Sequence, residues 1–426
     1  MTSVIGIMNK SGIALAADSA VTVESPGKRK IYNTANKIFT LSKYHPVGIM
    51  IYNEASFMEV PWETIIKLYR SQLKARSFPT LTLYMVDFIN FIKEKHFFIS
   101  DEFQRMVFRS FVHVTLQQIK NNAENSPDYK NTEDIEKKHQ KIIEFLLAQI
   151  ESNLVALNAD QDILPDFKDY SIDKFREFAS KDIVAITSEL FNEIVVPDHL
   201  INKLHQLFYL YYCRKFFTGR WSGLVFAGYG EDEIFPGTIS LRISDVIDNR
   251  IRYNVDEEQH ISIEQQGVIM PFAQRDVIDT IISGIDPSLD ITIQQVFEKL
   301  FKQYNATIIQ TLLSQQPEIA DRIKNLNIAN VIQEFANQIQ IVKSTKYIQP
   351  IVNTVAALSK EDLAEMAESL IYLTFLKRRI TSADESVGGP VDVAIISKGD
   401  GFIWIKRKHY FEPKLNQQFF NNYFKI

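Results

Sequence analysis

The sequence predicts an α+β protein, and three observations predict it. Short apolar runs bounded by turn residues lie near both ends of the chain and again near residue 223. Long stretches between them carry apolar residues at helical spacing. Pro79, Pro127, Pro165 and Pro197 fall between those stretches, where proline belongs.

Residues 3–8 and 12–18 read as two strands parted by Asn9-Lys10-Ser11-Gly12, a hairpin signal. The segment from Glu24 to Tyr32 reads as a loop. Residues 37–42 and 46–52 read as a second pair joined near His45-Pro46. In 56–76, Trp62, Ile65, Ile66, Tyr69 and Leu73 recur at helical spacing and make one apolar face. Further helices are expected over 82–95, 101–121, 132–155, 171–192 and 198–217, with a polar exposed stretch between Asn121 and Glu136. Strand character returns at 223–229, followed by 238–243, 251–255 and 260–263. A helix is expected from Phe272 to Ser283, and 290–345 reads as helical, rich in Ile, Gln and Asn. Ser359 with Asp362 forms a capping box opening a helix whose buried side is Leu363, Met366, Leu370, Ile371 and Thr374. After Asp384, Gly388 and Gly389, strands over 391–396 and 402–405 turn at Lys398-Gly399-Asp400-Gly401.

Composition excludes several classes of partner. The chain is 46% hydrophobic and 23% charged, which suits a large buried core. Lys+Arg 47 against Asp+Glu 52 leaves a net charge of -5, so bulk electrostatics favour neither nucleic acid nor an anionic membrane. A single cysteine, Cys213, permits no disulfide within one chain. No basic segment followed by an apolar run opens the chain, and the apolar stretch 207–217 is interrupted by Arg214 and Lys215. A soluble cytoplasmic protein is the expectation. The eight histidines are scattered with no H-E-x-x-H, and no Walker A pattern occurs, so neither a metal nor a cofactor is expected. Lys406-Arg407-Lys408-His409 reads as a solvated strand end.

Chemistry concentrates at the first residues. If Met1 is removed, Thr2 carries a free amine and a hydroxyl on one residue at the start of a strand, a base and a nucleophile together. The second strand ends in Ala16-Ala17-Asp18-Ser19 and returns a carboxylate towards that end. Thr2-Ser3-Val4-Ile5-Gly6-Ile7, then Gly12 and Leu15-Ala16-Ala17-Asp18-Ser19, resembles the start of proteasome β-type subunits and their bacterial relatives, which are N-terminal-nucleophile (Ntn) hydrolases. Asn36-Lys37-Ile38-Phe39 resembles the segment around the family's catalytic lysine. Asp384 with Gly388-Gly389 and two following strands resembles its last catalytic segment, in the expected order.

The resemblance implies a four-layer αββα sandwich of two antiparallel sheets, discontinuous over 1–76, 198–285 and 358–412. Residues 77–197 and 286–357 would be helical insertions and 413–426 a C-terminal tail. It implies Thr2 as nucleophile and base, Lys37 as the neighbouring ammonium, Asp18 holding Lys37, and Asp384 completing the polar network. Tyr52, Asn53, Gln274, Gly388 and Gly389 would lie in the substrate and oxyanion region. The substrate would be a peptide or another amide, and self-assembly into a homo-oligomer is implied, with a monomer as the alternative. The chain departs from the family at Ile51-Tyr52-Asn53-Glu54, which has no glycine, and at Val387, where the family carries serine. These departures support a second reading, an inactive Ntn-fold scaffold acting through its helical insertions.

Overall fold

The computed structural model describes residues 3–25, 28–94, 99–159, 162–217, 220–313, 316, 318–319, 323, 328–381 and 388–424. Thr2, Asp384 and Val387 lie outside the described residues. The protein is α+β: long helices with antiparallel sheets. The chain opens with β1 (Val4–Asn9), β2 (Gly12–Ala17), β3 (Val21–Ser25), β4 (Lys28–Tyr32), β5 (Ile38–Thr40) and β6 (Val47–Asn53), then two short strands, β7 (Ser56–Phe57) and β8 (Val60–Pro61). Helices α1 (Trp62–Leu73), α2 (Leu81–Glu94), α3 (Asp101–Asn125), α4 (Pro127–Lys130), α5 (Ile135–Ala159), α6 (Ile172–Leu190) and α7 (Asp198–Cys213) follow. Then come β9 (Ser222–Gly228), β10 (Gly237–Ile247), β11 (Arg250–His260), β12 (Gly267–Ala273), α8 (Arg275–Ser283), α9 (Pro287–Leu313), α10 (Ile328–Lys343), α11 (Gln349–Ala357), α12 (Lys360–Ile380), β13 (Asp392–Ser397), β14 (Gly401–Lys406) and α13 (Gln417–Phe424).

The chain divides into two compact units, one of residues 1–52, 227–237 and 259–426, the other of 53–226 and 238–258. The first is built on a five-stranded sheet in the order β12-β1-β2-β13-β14. Its central strands are buried on both faces, so their sequences run as unbroken apolar stretches. Alternate residues still divide the faces. Ile5, Ile7, Ala14, Ala16, Val393 and Ile395 meet Ile278 of α8, Val355 of α11 and Leu363, Ala367 and Ile371 of α12. On the other face, β5 and β6 pair antiparallel, and a Cβ on Gly48 of β6 would stand 2.9 Å from Ile396 Cδ1 and 2.8 Å from Phe402 Cε2. A side chain there would have to displace the ends of Ile396 and Phe402. The capping box that opens α12 forms as expected, with Ser359 and Asp362 bonded reciprocally. Asn9 is buried because its side chain donates to Val355 O and Leu358 O at the end of α11.

Three expectations are corrected in and around these strands. The segment expected as a loop is the β3–β4 hairpin, Val21 opposite Tyr32 and Ser25 opposite Lys28. Its alternation is masked by charged residues on a pair that joins no larger sheet. Residues 267–273 form β12, and the helix expected from Phe272 begins only at Arg275. Pro271 is tolerated because β12 is an edge strand that pairs with β1 alone. The three strands expected over 238–263 are two long ones, and 261–263 is not strand. Asp248 and Asn249 both adopt positive φ (49° and 59°), the backbone of a tight hairpin turn that Asp and Asn tolerate.

The second unit carries a helical core. Phe108 and Val112 of α3, Leu146 and Ile150 of α5, Phe175 and Ile183 of α6, and Leu204 and Phe208 of α7 are fully buried together. Helix α5 is the one helix among the described residues long and apolar enough to cross a membrane, and its Ile142, Leu146, Ile150 and Leu157 are buried in this core. Helix α1 buries the expected face of Trp62, Ile65, Ile66, Tyr69 and Leu73, with Trp62 stacked on Phe57 at 5.1 Å.

Candidate functional site

Strand β1 begins where β2 ends, because the two pair in register from Val4 opposite Ala17 to Asn9 opposite Gly12. That register sets Ser3 beside Asp18. Asp18 N donates to Ser3 O (3.1 Å), and Ser3 N donates to Asp18 Oδ1 (2.9 Å). The carboxylate is fully buried and receives three more donors: Lys37 Nζ on Oδ1 (2.6 Å), Ala20 N (3.2 Å) and Gly388 N (3.3 Å) on Oδ2. Four donors match the capacity of an ionised carboxylate.

Lys37 precedes β5 and is 3% exposed. Its ammonium donates to Asp18 Oδ1 and to Ala20 O (2.6 Å). A lysine has three N–H donors, and the third has no partner among the described residues. Burial pushes the Lys37 pKa below the ordinary lysine value, opposed by the attraction of Asp18.

The Gly388-Gly389 turn closes the site from the far end of the chain. Gly388 O accepts from Ser19 N (3.2 Å), and Ser19 Oγ donates to Pro390 O. Gly389 has φ of 80°, and a Cβ there would stand 2.8 Å from Asn33 Cβ. Glycine is needed on both counts. The turn thereby brings a backbone N–H to Asp18 from 370 residues away in sequence.

The structure thus brings Asp18, Lys37, Gly388 and Gly389 together. Tyr52 is nearby, since Ile51 N donates to Lys37 O (2.8 Å); its ring lies 6.2 Å from Phe272. Asn53 opens the second unit, where its φ is 67° and its side chain donates to Trp221 O (2.7 Å). Gln274 follows Ala273, which pairs with Val4. Its Oε1 accepts from Arg378 Nε (3.0 Å).

Sequence reasoning missed Ser3, Asp392 and Lys408. Ser3 Oγ is buried with no hydrogen-bond partner among the described residues. Asp392 lies opposite Ala17 in the β13–β2 register and is 3% exposed. It accepts from Lys408 N (2.8 Å) and forms an ion pair with Lys408 Nζ. Lys408, expected as part of a solvated strand end, is therefore paired and largely buried. Both charges act on Lys37, Lys408 lowering its pKa and Asp392 raising it. The one signal in the sequence is a lone carboxylate inside Val391-Asp392-Val393-Ala394-Ile395-Ile396.

No group of three or more metal-ligating side chains occurs among the described residues. No family model matches the chain, and no curated protein matches it. Among solved structures, the Anbu (Gly-1) mutant from Hyphomicrobium sp. strain MC1 aligns over 99% of this chain and 95% of that chain, at 7% identity and a TM-score of 0.27. A likeness at that level carries no argument about fold or function.

Proposed function

We propose that the chain is an N-terminal threonine hydrolase of the proteasome-like Ntn class, cleaving peptide or other amide bonds through an acyl-enzyme on Thr2 after removal of Met1. The observation that carries the reading is the buried Asp18 carboxylate, which holds both Lys37 Nζ and Ser3 N on one oxygen. Ser3 N belongs to the peptide bond that joins it to Thr2. Asp18 thus ties the start of the chain to a buried ammonium. The four-layer αββα sandwich is part of the proposal. The helix layer, the five-stranded sheet and the β5–β6 pair of the first unit support it.

The chemistry follows from those groups. An α-amine has a pKa of about 7.7–8.0, so much of it is neutral near pH 7. The Lys37 ammonium disfavours a second positive charge and keeps the amine neutral. The amine then takes the Thr2 hydroxyl proton as Oγ attacks the amide carbon. The C–N bond breaks, the proton goes to the leaving amine, and water hydrolyses the ester. Asp18 holds Lys37 in place throughout.

The second reading is an inactive scaffold of the same class, favoured by Tyr52, whose ring lies beside Phe272 next to the Lys37 strand. Intact mass of protein purified from a native start, with and without a β-lactone probe, tests both. Loss of one Met and one adduct absent from Thr2→Ala is the expected result. A free Thr2 that stays unmodified, or a retained Met1, overturns the hydrolase.

A further inference from the structure

Away from Asp18 and Lys37, the first unit contains a cavity of about 760 Å³ between the 42–46 loop, the turn at 398–401, β14 and the C-terminal helix. Its volume is that of a small-molecule site. Phe402, Trp404, Phe419 and Phe420 supply aromatic wall, with Phe402 and Trp404 edge to face at 5.1 Å. The charges on this wall do not balance. Asp400 is the one carboxylate in the lining, and it is already taken by Lys360 and Ser397 Oγ. Arg407 lies over the Trp404 ring at 4.8 Å, and its guanidinium meets no carboxylate among the described residues. Lys398 Nζ donates to two neutral carbonyls, Gly230 O and Glu231 O, each at 2.7 Å. Gly399 stands at the same turn with nothing within 4 Å of where a Cβ would be. Its φ is not positive, so neither crowding nor backbone conformation calls for glycine there. The space beside this lining residue is open.

We propose that this cavity is a binding site for a planar aromatic anion, its ring against Trp404 and Phe402 and its negative charge on Arg407. The aromatic wall takes the ring by burial and stacking, and the cation already seated on Trp404 offers a planar fork to a carboxylate. The site is separate from the proposed catalytic groups and does not depend on their chemistry.

Calorimetric titration with 2-naphthoate tests it, alongside 2-naphthamide, which keeps the ring and loses the charge, and cyclohexanecarboxylate, which keeps the charge and loses the ring. Saturable 1:1 binding of 2-naphthoate is expected, weakened about tenfold or more in each analogue. Arg407 is exposed, so Arg407→Gln should fold with an unchanged melting temperature and lose about tenfold in affinity for 2-naphthoate alone. Arg220→Gln, on a cavity of the other unit, should bind as wild type. Equal binding of 2-naphthamide, unchanged affinity in folded Arg407→Gln, or no heat of binding up to about 1 mM overturns the site.

Discussion

Each unit buries a cation, and the two are treated differently. Arg252 in the second unit is 4% exposed. It donates to Tyr212 O, Tyr211 O, Phe216 O and Ser244 Oγ, and lies 5.1 Å from the Tyr212 ring. Most of its donors are spent on carbonyls where α7 ends, the negative end of a helix dipole. Lys37 in the first unit is as deeply buried but has one carboxylate and one carbonyl, and no third acceptor among the described residues. With four of its five N–H donors bonded, this buried arginine locks a helix end. Burial lowers the pKa of both cations, and what sets Lys37 apart is its direct hydrogen bond to a carboxylate that also holds Ser3 N at the start of β1.

That contrast can be broken. The largest effect is expected at Lys37: Lys37→Met should slow β-lactone labelling of Thr2 by about 10²–10⁴-fold while the protein stays folded by circular dichroism. Labelling at the wild-type rate would make Lys37 a second Arg252. Arg252→Met should do the reverse. Stranded helix-end carbonyls and the loss of the 3.8 Å ion pair with Asp245 should together cost on the order of 3–5 kcal/mol in a urea titration, with the labelling rate of the folded fraction unchanged.

Gly389→Ala is expected to fall between structure and chemistry. Strain from its positive φ and the contact with Asn33 should cost about 1–3 kcal/mol, and labelling should slow because Gly388 N leaves Asp18. A stable variant that labels normally would remove the glycine turn from the site.

The smallest effect is a slope. Burial holds the Lys37 pKa below its unfolded value. In the window below about pH 10.4, the unfolded chain therefore binds more protons, and stability rises with pH. The stability of wild type relative to Lys37→Met should climb towards that value, at most by about 1.4 kcal/mol per pH unit. A difference that stays flat would mean Asp18 fully offsets burial.

Much of this was legible in the sequence because it is local. The helix faces, the capping box at Ser359 and the first hairpin each depend on residues a few positions apart, where periodicity and turn chemistry act. Asp18 and Lys37 were legible through a short stretch with a recognisable pattern. The β3–β4 hairpin hid behind its charges, and Asp248-Asn249 turned two long strands where shorter ones were expected. Lys408 looked like a solvated strand end because nothing near it in sequence would bury it.

By itself, the sequence determined most of the helices and strands and which carboxylate and lysine stand near the chain start. Only the tertiary structure decided that Asp18 receives a backbone N–H from Gly388, that Asp392 and Lys408 form a second ion pair acting on the same lysine, and that Arg252 is spent on a helix end while Lys37 is held on a carboxylate. Local pattern fixes what a residue can offer. How many of its donors are spent, and how much water is removed from its charge, depends on strands brought together from opposite ends of the chain.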